Sequence, residues 1–180
     1  MKHIATVALM LTLGVAGAYA QGRGHHQDHE RPIKMSFSGT NVATSINLQP
    51  DTVTDETQLE GTGTLGAFTF RELHADGRAP EPVAGCSGPS FLVVAGGGVF
   101  RFQDGSLLTV TVTDGSGCIF ARNAVLTVNY AITGGTGRFT GAGGKLTMTG
   151  TIAVVFRNAS MAPALLINTG EFEGTLINDN

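Results

Sequence analysis

Residues 99–113 read VFRFQDGSLLTVTVT. Two apolar-rich runs flank Gln103-Asp104-Gly105, and an Asp-Gly between two such runs is a strong hairpin signal because both residues tolerate positive φ. In the second run Leu108, Val110 and Val112 share one face while Thr109, Thr111 and Thr113 share the other. That spacing of two is the pattern of a strand buried on one side only.

The pattern recurs in both directions. Ile33, Met35 and Phe37 alternate with Lys34, Ser36 and Ser38; Leu126, Val128, Tyr130 and Ile132 alternate with Thr127, Asn129 and Thr133. Lys145 to Phe156 places Leu146, Met148, Ile152, Val154 and Phe156 on one face, and Leu165 to Ile177 closes the series. Gln58 to Leu73 is a glycine-broken apolar stretch, and Phe91 to Val94 reads as a short strand ending at Gly96-Gly97-Gly98. Residues 74–90, with three prolines and Cys86, read as the longest irregular loop. No long stretch has helical spacing. The expectation is an all-β domain over residues 33–177, a single antiparallel eight-stranded barrel, with a β-sandwich as the alternative. Glycine inside strands favours the barrel, since it lets strands bend at corners. Phe68, Phe70, Phe100, Phe102, Leu108, Val110, Leu126, Val128, Tyr130, Leu146, Met148, Ile152 and Val154 form the expected core.

Ahead of this domain lies a different kind of sequence. Met1-Lys2-His3, the uncharged run Ile4 to Gly17 and Ala18-Tyr19-Ala20 have the three parts of a secretory signal peptide, with cleavage expected between Ala20 and Gln21. Residues 21–32 hold no large apolar side chain, and so read as a flexible, His-rich tail. The expected location is secreted or periplasmic, without a membrane anchor. Cys86 and Cys118, the two cysteines, are then expected to pair as a disulfide.

The net charge of −3 leaves no basic patch for nucleic acid. His25, His26, Asp28, His29 and Glu30 form a cluster of metal-type side chains, but a tail pays ordering entropy on binding and no second cluster completes a shell; no metal and no cofactor is expected. Glu60, Glu72, Glu171 and Glu173 fall in strands, with Glu171 and Glu173 reading as a solvent-facing pair. His74 stands beside the long loop, and no nucleophile motif is present. Tyr130 shares its face with Leu126, Val128 and Ile132, so its hydroxyl either orients a ligand in the lumen or is a satisfied core group.

Residues 130–144, YAITGGTGRFTGAGG, are a strand, a glycine turn, an inward aromatic at Phe139 and a second glycine cluster. No helix follows and no Gly-Lys-Ser/Thr is present, which sets a phosphate loop aside. The string resembles the glycine-rich turn of the allene oxide cyclase and dirigent protein barrels, and of small exported bacterial proteins that share that barrel. Gly63-Thr64-Leu65-Gly66 with Phe68, and Gly170 to Thr175, add to the likeness. The resemblance implies an eight-stranded barrel with an apolar lumen, packed as a trimer in the plant members. It implies a small apolar ligand, and either a binding or scaffold role or an isomerase acting on an unsaturated lipid; a structural surface protein is the third reading. No catalytic residue carries over with the motif. Intact-mass measurement on exported protein is expected to find a chain beginning at Gln21; retention of Met1 to Ala20 contradicts the signal reading.

Overall fold

The computed structural model describes residues 29–120 and 123–178, so the expected signal peptide and the expected tail through Asp28 lie outside the described residues. Eight strands follow one another: β1 (His29–Thr44), β2 (Thr52–Gly63), β3 (Phe68–Gly77), β4 (Ser90–Phe102), β5 (Leu107–Ile119), β6 (Asn123–Gly135), β7 (Gly143–Arg157) and β8 (Pro163–Asn178). Each is antiparallel to the next, and β1 pairs β8 from His29↔Asn178 to Asn41↔Leu166, closing the barrel. Closure leaves no free sheet edge. The sandwich alternative is set aside by that continuous β1–β8 ladder.

Several boundaries differ from the sequence pattern, and three of them matter for packing or for the site. β1 begins at His29 rather than Ile33: His29 to Pro32 have no apolar side chains to bury, and they are held by backbone pairing to residues 175–178 of β8. β4 runs unbroken through Gly96-Gly97-Gly98, which pair with β3 residues 72–74. Gly98 is a packing requirement, because a Cβ there would lie 2.5 Å from the Phe70 ring. β3 also continues to Gly77, which moves His74 from loop to strand.

The hairpin at 103–105 is present with different turn chemistry. The Gly105 N–H donates to the Phe102 carbonyl at 3.0 Å, and the Phe102 N–H to the Ser106 carbonyl at 3.0 Å. Only Gly105 of the pair has positive φ, at 81°. This is a three-residue loop with glycine in the left-handed position, not a two-residue turn.

The two ends of the barrel are unlike. At one end the 3-10 turn Gly137–Phe139 drops Phe139 into the lumen against Phe102, with ring centroids 4.8 Å apart. Arg138 lies over both rings at 4.9 and 4.7 Å, donates to the Leu65 carbonyl at 2.6 Å and pairs with Asp104 at 3.2 Å. Three connections are thereby tied across the closed end, and the glycine-rich string serves as its plug. Above it the lumen is filled by Phe68, Phe70, Phe100, Phe172 and Phe37, with Phe70–Phe100 centroids at 4.3 Å and Phe100–Phe172 at 5.0 Å. Offset and edge-on contacts of this kind add to the burial itself.

Every expected core residue is buried except Val154, which is half-buried at the open end. Phe156, expected on the same face, is 61% exposed, because register shifts at Val154/Phe156 and Phe156/Arg157 turn the strand over. Cys86 and Cys118 are bonded, tying the 78–89 loop to the end of β5. In urea titration Gly98→Ala is expected to cost about 1–3 kcal/mol by forcing the Phe70 ring aside, whereas Gly143→Ala is expected to stay within about 0.5 kcal/mol. Space at Gly143 is open, with no atom within 4 Å of an added Cβ, so equal losses at both positions contradict this packing.

Candidate functional site

At the open end the inward positions change from aromatic to polar. On β3 the spacing of two that buries Phe68 and Phe70 carries on to Glu72 and His74, 2% and 1% exposed, with Asp76 beyond them nearer the mouth. On β2 the inward positions are Leu59, Thr57 and Asp55, and the register sets Thr57 against Glu72 and Asp55 against His74. On β1, Asn41 pairs with Thr57 and Ala43 with Asp55. Asn41, Thr57 and Glu72 therefore make one row across the sheet, and Ala43, Asp55 and His74 make the next row toward the mouth.

Distances show what these side chains do to one another. Asn41 Nδ2 donates to Thr57 Oγ1 at 2.6 Å, while Asn41 Oδ1 has no hydrogen-bond partner. Glu72 has a fully buried side chain, and neither carboxyl oxygen accepts a hydrogen bond; Oε2 lies 3.5 Å from His74 Nδ1. The other imidazole nitrogen, Nε2, is 3.7 Å from Asp76 Oδ2. A buried carboxyl without hydrogen bonds is costly unless a charge faces it, and His74 is the group placed to supply that charge.

The protonation balance follows from this geometry. Burial works to lower the His74 pKa, but Glu72, Asp76 and Asp55 together outweigh it and lift the imidazole from 6.5 to about 9. Burial pushes Asp76 up from 3.8 to about 7; the His74 charge opposes that rise, and Asp55 and Glu72 add to it. Asp55 is raised by burial and pulled back by His74. The site is thus an imidazolium ringed by three carboxyls, of which Asp55 and Asp76 are raised by burial.

Over this floor opens a cavity of about 560 Å³. Asn41, Asp55, His74 and Asp76 form its polar side, while Phe91, Ile119, Leu126, Ile152, Val154 and Leu166 form apolar walls and Arg157 stands at the rim. The 78–89 loop that the disulfide tethers leads into β4, whose first residues, Ser90 and Phe91, border this end.

Tyr130 points into the lumen and is 1% exposed, with its hydroxyl 3.9 Å from Met148 Sδ. Burial, reinforced by Glu72, drives its pKa well above 10.0. It lies under the polar rows, among the packed aromatics, and is not one of the cavity's lining residues. Glu171 and Glu173 face outward and flank Lys34 at 3.4 and 2.8 Å. Glu60 is exposed as well. Of the tail's His cluster, His25, His26 and Asp28 lie outside the described residues.

The converging group of Asp55, Glu72, His74 and Asp76 is absent from the sequence-based candidates as a group. A signal for three of the four was there: Phe68, Phe70, Glu72, His74 and Asp76 hold one unbroken spacing of two, which carries charge into a core face. Ending the strand at Leu73 hid it. Asp55 could not be added without the β2–β3 register.

No protein-family model and no curated protein matches the chain. Among solved structures it is similar to the pterocarpan synthase dirigent protein GePTS1, at 12% identity and a TM-score of 0.46, the match covering 87% of this chain and 94% of that one. The barrel architecture stands on the strand register described above.

Both titrations act on stability in the same direction. A raised His74 contributes stability that is complete below 6.5 and lost as pH climbs through about 9. Asp76 favours its protonated form in the fold, so stability is also lost between 3.8 and about 7 as it ionises. In EDTA-containing buffer the Tm is expected to fall progressively from acid to alkaline pH, and His74→Gln to abolish the alkaline part of the fall. A wild-type Tm that is flat across that alkaline range contradicts a charged His74.

Proposed function

We propose that the protein is a binding barrel for one small, largely apolar molecule, held in the open end with its polar terminus on Asp55, His74 and Asp76. The observation that carries this reading is the cavity of about 560 Å³, with apolar side chains over much of its wall and Asn41, Asp55, His74 and Asp76 gathered on one side. Pre-formed pockets of this size, with few polar groups fixing orientation, are the usual form of small-molecule sites. A structural role needs no cavity, so the open lumen weighs for binding. The Cys86–Cys118 bond supports placing the protein in an oxidising compartment outside the cytoplasm.

A second reading is favoured by one feature of the same floor. An imidazole lifted to about 9 beside a carboxyl lifted to about 7 is an acid–base set poised near neutral pH. Such a set fits an isomerase that protonates or deprotonates an apolar substrate, such as the epoxide of an unsaturated fatty acid. In that reading His74 acts as acid, Asp76 as base, and the apolar walls hold the chain.

Displacement of N-phenyl-1-naphthylamine by fatty acids and phenols tests the binding reading. Binding is expected in the wild type, and Ile152→Trp, which fills the cavity, is expected to weaken it at least about tenfold, equivalent to about 1.4 kcal/mol. Unchanged probe affinity in Ile152→Trp overturns the site assignment. Turnover of an unsaturated fatty-acid epoxide that disappears in His74→Gln with binding retained selects the isomerase.

A further inference from the structure

The floor of the cavity has an excess of acceptors that an organic ligand does not explain. Asp55, His74 and Asp76 each present one ligand atom within 4.8 Å of the others. Asp55 and His74 are directly opposed across the β2–β3 pair, and Asp76 lies two residues along the same strand. Behind them Glu72 is wholly buried, its two oxygens without hydrogen bonds, with Oε2 3.5 Å from the His74 nitrogen that faces away from Asp76. Beside them Asn41, 2% exposed, lines the same cavity with an Oδ1 that nothing satisfies. Three carboxyls and an orphaned amide oxygen around one imidazole are a poor apolar-barrel floor and a good cation site.

We propose that Asp55, His74 and Asp76 bind a single divalent transition-metal ion, with Glu72 holding His74 from behind. His74 Nε2, on the Asp76 side, is the nitrogen placed to ligate. Its Nδ1–H is then free to face Glu72, the carboxylate–histidine–metal relay that fixes the tautomer and orientation of a ligating imidazole. That role gives Glu72 a reason to be buried without hydrogen bonds. Metal–nitrogen and metal–oxygen bonds near 2.0–2.2 Å place ligand atoms roughly 3–4 Å apart, so small side-chain rotations close the set around an ion. Asn41 Oδ1 is available as a further oxygen, and the remaining positions face the cavity, open to water or to a ligand's polar end.

The donor set selects the metal class. One imidazole with two carboxylates suits zinc or manganese, whereas magnesium and calcium prefer all-oxygen sites. A bound ion takes the direct contacts with Asp55, His74 and Asp76 and offers its open positions to a ligand's polar end instead; because the ion is titrated without any organic ligand, failure of the ion assignment leaves the apolar pocket standing, and the reverse.

Titration with Zn²⁺ and Mn²⁺ in the absence of any organic ligand tests it. Full-length chain carrying His25→Ala, His26→Ala and His29→Ala removes the tail's imidazoles from the count. One ion per chain is expected, with Mg²⁺ and Ca²⁺ much weaker. Asp76→Asn and His74→Gln are each expected to lower affinity by at least about tenfold, and Glu72→Gln by about 10–100-fold through loss of the relay. Because some of these variants could fail to fold, Mn²⁺ broadening of the His74 ring resonances is read in protein with His74 intact; selective loss of those signals is expected at one equivalent. No stoichiometric site for either metal, a site indifferent to Asp76→Asn in folded protein, or His74 signals untouched by Mn²⁺ overturns the proposal.

Discussion

An eight-stranded barrel has a lumen just wide enough for side chains from opposite walls to meet at its axis, and every other feature of this chain follows from how that narrow space is shared. Seven phenylalanines and Tyr130 are buried residues of the core, and most of them meet ring to ring through the closed half. Their bulk leaves no cross-section for polar groups there. The acids, the imidazole and the cavity are consequently confined to the other half, where the inward positions of β1, β2 and β3 turn polar.

That division explains why several acids converge on one histidine. On a strand, residues two apart share a face, so Glu72, His74 and Asp76 converge from a stretch of five residues. The neighbouring strand adds Asp55 through the register alone. The aromatic floor under them keeps water out from below, which strengthens the attraction between imidazole and carboxyls and makes each of them costly to leave unmatched.

The architecture was legible because spacing of two is a local property: the alternations around Val110, Val128 and Met148 place the same residues inward in the structure as in the sequence. Where backbone pairing rather than side-chain burial holds a segment, as at His29 to Pro32, or where a strand absorbs glycine to pass a ring, as at Gly98 over Phe70, local pattern misplaced a boundary. Phe156 was misassigned because a register shift alters facing without altering composition. The site was harder to read, since Asp55 and Asn41 join the β3 residues only through register; Tyr130, conspicuous as the sole tyrosine after residue 20, lies among the packed rings, while the inconspicuous Asp55 lines the cavity.

The Arg138 clasp makes the two ends of the molecule unequal as material for change. At its end, three connections are joined through one guanidinium that touches Leu65, Asp104, Phe102 and Phe139, so a residue inserted in any of those turns disturbs the other two. At the mouth, among the described residues, the connections after β1, β3, β5 and β7 meet at no single side chain; the one after β3 is held by the disulfide to β5 and by the Arg78 N–H on the Asp51 carbonyl of the one after β1. Surface loops of that kind accept insertions readily. Relatives of this barrel that vary in ligand would then diverge in the lengths of their mouth loops, while their glycine-rich ends stay nearly constant in length, and the clasp would serve as a fixed point for aligning chains otherwise too dissimilar to compare.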